Sequence, residues 1–161
     1  MQFEFLLVPL FSGHVTEIIL GPDNKNLLRI FPVERIEMLY TASVSVLEKV
    51  GGEMKLYYVM RGHGNDVVIP DQPDLDQYRD GILTWKGFRV NYLGKLMRPE
   101  AEEWMRRVSA EAVGEDVVLV SDEEDVRHCY RVLLAEMMMN MFSGQMKLRY
   151  MGELRETRGS S

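Results

Sequence analysis

The chain of 161 residues has one cysteine, Cys129, so no disulfide can close within it. There are only three histidines, His14, His63 and His128, and no two of them have the spacing of a metal-binding pair. No uninterrupted apolar run approaches the roughly eighteen residues that a transmembrane helix needs. There is no phosphate loop of the G-x-x-x-x-G-K type, no G-x-S-x-G elbow and no G-x-G-x-x-G turn. Positive charge is in deficit, with 19 Lys and Arg against 25 Asp and Glu, a formal net charge of −6. A chain that neutralised many phosphates alone would be basic, so autonomous nucleic-acid binding is disfavoured. The start of the chain lacks a basic n-region, and Glu4 interrupts its apolar run, so no secretory signal is expected. An isolated cysteine in an apolar helical context suggests a reduced, buried thiol and an intracellular protein.

What is present suits a packed globular fold: 46% apolar and 27% charged residues in a chain of single-domain size. The expectation is one α+β domain over residues 1–155, with 156–161 as a disordered tail. Phe3–Val8, Val15–Leu20 and Asn26–Phe31 read as three strands. Ser12-Gly13 and Gly21-Pro22-Asp23-Asn24 between them are turn signals, which gives an antiparallel meander. Pro32 stands where a helix would open, and a helix is expected over Val33–Val50, closed by Gly51-Gly52. Glu34, Glu37, Thr41, Ser45 and Glu48 then form its polar stripe, and Ile36, Leu39, Tyr40, Leu47 and Val50 its apolar one.

Met54–Met60 is strand-like, and Gly62-His63-Gly64-Asn65-Asp66 is a loop. Pro70–Gly81, rich in proline and aspartate, reads as a longer loop. Ile82–Trp85 and Phe88–Tyr92 around Lys86-Gly87 read as a hairpin. Pro99 opens a helix to about Val113, and Val117–Val120 is a brief buried strand or an extended connection. Ser121 with Glu124 matches a capping box for a helix running to about Phe142. Met146–Tyr150 alternates as a last strand.

The last helix carries the most information. Its C-terminal half is apolar nearly all round, so one sheet cannot cover it. The second cover is either another element of the same chain or a partner protein, and Met137, Met138, Met139 and Met141 suit both. Asp122-Glu123-Glu124-Asp125 permits a Mg²⁺ site for phosphotransfer, but first-turn carboxylates also simply complement a helix dipole, which is the favoured reading. Cys129 and His128 point apart on a helix, which disfavours a nucleophile pair. No cofactor and no metal ligand set is expected.

Asp122-Glu123-Glu124-Asp125-Val126-Arg127-His128-Cys129-Tyr130, followed by Met146-Lys147-Leu148-Arg149-Tyr150, resembles the closing helix and strand of the Mago nashi family. Gly13-His14-Val15-Thr16-Glu17, Pro22-Asp23 and Leu27-Leu28-Arg29 resemble that family's first meander. The resemblance implies a divergent member with an antiparallel sheet and two long helices on one face. It implies a non-enzymatic scaffold, nuclear and shuttling to the cytoplasm, in exon-junction mRNA processing. The partners would be an RNA-recognition-motif protein in an obligate heterodimer and a DEAD-box ATPase, with RNA touched only indirectly and no membrane. By matching position, Asp122 and Glu124 would meet the ATPase, and Arg127 and Tyr130 lie on the closing helix. Tyr40, Val44, Leu133, Met137 and Met141 would meet the RNA-motif partner. Two other readings stand beside it: a homo-oligomeric α+β assembly protein, and a Mg-dependent phosphotransfer enzyme.

Overall fold

A computed structural model of the chain describes residues 5–9, 15–20, 26–31, 37–47, 54–111, 115–146 and 148–155. The chain divides into two compact units, Met1–Arg35 and Ile36–Ser161. In the first, β1 (Phe5–Pro9), β2 (Val15–Leu20) and β3 (Asn26–Phe31) form an antiparallel sheet in the order β1-β2-β3. Phe5 stands opposite Ile19, and Val15 opposite Phe31. This is the meander that the turn signals predict. The turns themselves lie outside the described residues.

The second unit is built on β4 (Glu37–Ser43), β5 (Lys55–Tyr58), β6 (Val117–Ser121) and β7 (Leu148–Glu153). They pair in the order β5-β6-β4-β7, and every pairing is parallel. The antiparallel sheet with two long helices on one face is therefore corrected: this unit is α/β. Parallel neighbours need crossovers, and each crossover here carries at least one helical segment. Between β5 and β6 come α2 (Gln72–Arg79), α3 (Trp85–Leu96) and α4 (Pro99–Glu111). Between β6 and β7 comes α5 (Tyr130–Met146), and the one-turn α1 (Val44–Leu47) follows β4.

Both faces of the sheet are covered. Val117 and Leu119 of β6 and Leu39 of β4 join a core with residues of α2, α3, α4 and α5. Val118 and Val120 of β6 and Ala42 of β4 turn the other way, toward Val44, Leu47, Met54 and Leu154. All five residues of β6 are buried. Such a strand reads as a continuous apolar run, which fits either a strand or a helix segment by periodicity alone.

The expected helix over Val33–Val50 is a correction for the same reason. Residues 32–36 and 48–50 lie outside the described residues, and 37–43 form β4. Leu39 and Thr41 are buried on one side of β4 and Ala42 on the other, so a central strand wears the same apolar density as a helix stripe. The expected loop Pro70–Gly81 contains α2. Its prolines and aspartates are helix punctuation: Pro73 stands in the first turn, where a missing N–H costs little, and Gly81 follows the last turn at φ +74°. The Gly81 N–H donates to Tyr78 O (3.1 Å) and the Ile82 N–H to Gln77 O (2.9 Å), the paired bonds of a Schellman end.

The expected hairpin Ile82–Tyr92 is replaced by α3. Thr84 Oγ1 accepts the Gly87 N–H at 3.2 Å, so the apparent Lys86-Gly87 turn is the capped first turn of a helix. The capping box at Ser121 is absent as well. Ser121 ends β6, a 3-10 turn spans Val126–His128, and α5 begins at Tyr130. α4 follows expectation, opening at Pro99 and burying Ala101, Trp104, Met105, Val108 and Ser109 on one face.

Candidate functional site

Two constellations flank the segment Asp122–Cys129, which leaves the C-terminal end of β6. The sheet explains why this end is distinctive. The chain moves two strand positions from β4 to β5, then returns across β6 and over to β7. The adjacent strands β4 and β6 thus send their connections in opposite directions and onto opposite faces. In parallel sheets, ligands bind outside the carboxyl ends of strands at such a switch.

A crevice of about 360 Å³ opens there, lined by Ser43, Ser45, Val46, Glu124, Val126, Glu153, Leu154 and Arg155. Ser43 Oγ lies 2.9 Å from Ser45 Oγ. Glu124 and Arg155 are exposed, so the crevice offers a carboxylate, a guanidinium and two hydroxyls.

Glu153, one of its lining residues, belongs to a buried ion pair. Arg131, in the first turn of α5, is fully buried, and its Nη2 donates to Glu153 Oε1 at 2.6 Å while Nε donates to Oε2 at 3.2 Å. Nη1 donates to Ser121 Oγ at 2.8 Å and also to the Glu123 carbonyl. Thr41 Oγ1 donates to Glu153 Oε2 at 2.6 Å and lies 2.8 Å from the Tyr150 hydroxyl. Each charge is therefore bidentate and further hydrogen-bonded, the condition under which a buried pair is tolerated. Burial is the largest influence and works against the guanidinium charge, but the hydrogen bonds to Glu153 together with the nearby Cys129, Glu153 and Glu123 leave its pKa raised. One network so ties the ends of β4, β6 and β7 to the start of α5.

A bulge positions Glu153. The pairing of β4 with β7 shifts between Leu39 and Tyr40: Leu39 faces Tyr150 and Tyr40 faces Gly152, leaving Met151 without an opposite residue. Gly152 has φ +102°, open to glycine and costly for other residues.

The second constellation lies on the other side of the segment. Glu123 accepts the Tyr130 N–H at 3.2 Å, which satisfies an orphan donor of α5. Burial raises the Glu123 carboxyl pKa, opposed by that N–H, by the Cys129 thiol and by Arg131 and Arg79. Cys129 is 1% exposed, and burial pushes its thiol up to about 12, so it stays protonated at neutral pH. It does not line the crevice. Tyr130 donates from its hydroxyl to Val59 O at 2.8 Å and packs edge-on against Tyr92.

The residues singled out from sequence do not converge. Tyr40 and Val44 are half-buried on one face of the sheet. Leu133 is in the core on the opposite face, with Met137 and Met141 packed against it. Tyr130 is buried, whereas Asp122, Glu124 and Arg127 are exposed, Arg127 pairing with Asp125 at 3.2 Å. The over-apolar helix α5 is covered by its own chain: the sheet lies on one side, and α3 and α4 pack against it on others. Of the nine, Glu124 alone lines the crevice. Among the described residues, no group of three or more His, Cys, Asp or Glu side chains is placed to hold a metal ion.

Ser43, Arg131 and Glu153 are not among the residues singled out from sequence. Arg131 carried a signal. It is a base set in an otherwise apolar helical stretch, and a buried base needs an acid from elsewhere in the fold.

A family model described as a domain of unknown function, DUF488, matches residues 55–138, more than half of the chain. The match contains Glu123, Cys129 and Arg131. It replaces the Mago nashi resemblance, and with it the exon-junction scaffold reading. Short acid-rich and alternating apolar motifs recur in unrelated folds, and their order along the chain misled here. No curated protein and no solved structure matches the chain.

Proposed function

The chain belongs to the DUF488 family of domains of unknown function, and from that premise we propose that it is a binding protein for a small polar molecule. The ligand sits in the crevice at the carboxyl ends of β4, β6 and β7. The observation that carries this reading is the position of that crevice at the switch of a parallel sheet. Its chemistry sets the ligand class. Glu124 and the serine hydroxyls accept from donors, and Arg155 engages an anionic group, so the ligand carries both. The buried Arg131–Glu153 pair holds the wall rigid without spending its own donors on the ligand. Cys129, buried and protonated, supplies no nucleophile on this reading.

The test is amide NMR of the full chain against a panel of small zwitterions, hydroxy acids and sugar phosphates. At least one class shifts Ser43, Glu124, Val126 and Leu154. Glu124→Gln and Arg155→Ala then each weaken binding about tenfold, the usual scale for a charged hydrogen bond. Shifts that centre elsewhere, or none at high ligand concentration, remove the proposal.

One observation favours a second reading. A carboxyl whose pKa burial has raised, beside a thiol at the start of a helix, suits proton exchange with a bound molecule. In that case the same panel shifts Glu123 and Cys129, and Glu123→Gln abolishes turnover while leaving the melting temperature near that of the parent.

A further inference from the structure

The outward side of α3 stands apart from the rest of the molecule. The chain as a whole is acidic, yet Trp85–Leu96 contains no carboxylate and three bases. Lys95 is spent on Asp71 at 2.8 Å. Among the described residues, neither Lys86 nor Arg89 lies within ion-pair distance of an acid, and both are exposed. Among the described residues, the three most exposed large apolar side chains are on this helix or at its ends: Ile82 at 73%, Val90 at 64% and Met97 at 73%. Val90 and Met97 are seven residues apart, two helical turns, and so lie on one face. Gly94 falls between them and is exposed, which leaves a notch where a facing side chain could seat.

Isolated apolar residues on a surface need no explanation, but a row of them bordered by unpaired charge of one sign does. We propose that this face of α3 docks an acidic amphipathic helix of another protein. Its apolar stripe would lie on Val90 and Met97, and its carboxylates would meet Lys86 and Arg89. Charge complementarity selects this occupant. A nucleic acid would gain nothing from the apolar row. A second copy of this face would set its bases against their own kind. The crevice at the strand ends plays no part, so this inference stands or falls separately from ligand binding there.

The experiment uses the full chain, labelled for amide NMR. It is titrated with a synthetic peptide that has leucine at helical i, i+3, i+4 and i+7 positions and glutamate elsewhere. A matched peptide with lysine in place of glutamate serves as control. The glutamate peptide is expected to shift Ile82, Lys86, Val90 and Met97 saturably, and added salt to weaken it. K86E with R89E is expected to weaken binding by about tenfold or more. Val90→Ser, which removes the apolar anchor and leaves the bases, is expected to weaken binding without changing the salt dependence. All these positions are solvent-facing, so unchanged melting curves separate lost docking from lost folding. Equal binding of the lysine peptide overturns the proposal. So do shifts confined to other residues, and so do shifts of this face with protein concentration alone, with duplex RNA or with anionic vesicles in place of the acidic peptide.

Discussion

Cys129 and Glu123 show how burial decides the chemistry of single groups. A cysteine at the start of a helix is ordinarily a candidate for an activated thiolate, because the positive end of the dipole favours the anion. Here desolvation wins, and the thiol is pushed to about 12. Cys129 in the native protein is therefore expected not to react with a chromogenic disulfide at pH 8, and to react stoichiometrically in denaturant. Fast native labelling would contradict the burial. Glu123 gives a pH prediction. Its folded pKa is raised above the ordinary 4.5, so the folded state holds the proton more tightly than the unfolded one. Stability is then expected to fall as pH rises from about 4.5 through the folded value, the reverse of a salt-bridged carboxylate. Chemical denaturation at several pH values reads the slope, and Glu123→Gln should flatten it. Gly152, at φ +102° with open space around its missing Cβ, is expected to cost about 1 kcal/mol on change to alanine, from backbone strain alone.

Helix ends carry the next lesson. Both α2 and α3 were readable from their punctuation rather than from their interiors. Pro73, Gly81 and Thr84 mark one helix start, one helix end and the next start within a dozen residues. The content between them, dense in aspartate in one case and aromatic in the other, suggested a loop and a hairpin. Thr84→Ala removes the acceptor for the Gly87 N–H and is expected to cost about 1 kcal/mol, read as a lowered urea midpoint with an unchanged m-value. β4 went the other way. Its seven residues had helix-compatible spacing because a strand buried on both faces needs no alternation.

Across the second unit as a whole, the Arg131–Glu153 pair joins the first turn of α5 to the last strand, 22 residues away in the chain. Arg131→Ala would leave the Glu153 carboxylate buried without its counter-charge, at a cost of about 3–5 kcal/mol. The double variant with Glu153→Ala should recover part of that loss, because neither charge is then stranded. A double-mutant cycle on thermal or urea unfolding measures the coupling. Strictly additive losses would show that the pair does not hold the strand ends together.

Local chemistry along the chain was enough to set several elements. Turn residues placed β2 and β3, proline opened α4, and the density of apolar residues in α5 required cover on more than one side. Which element supplied that cover was a matter of long-range packing, and α3 and α4 of the same chain supplied it. Strand direction was likewise beyond local reach. A buried strand has the same composition whether its neighbours run parallel or antiparallel, and only the crossovers between strands decide. The crevice follows from that decision, because Ser43, Glu124 and Glu153 meet only once the ends of β4, β6 and β7 are aligned side by side.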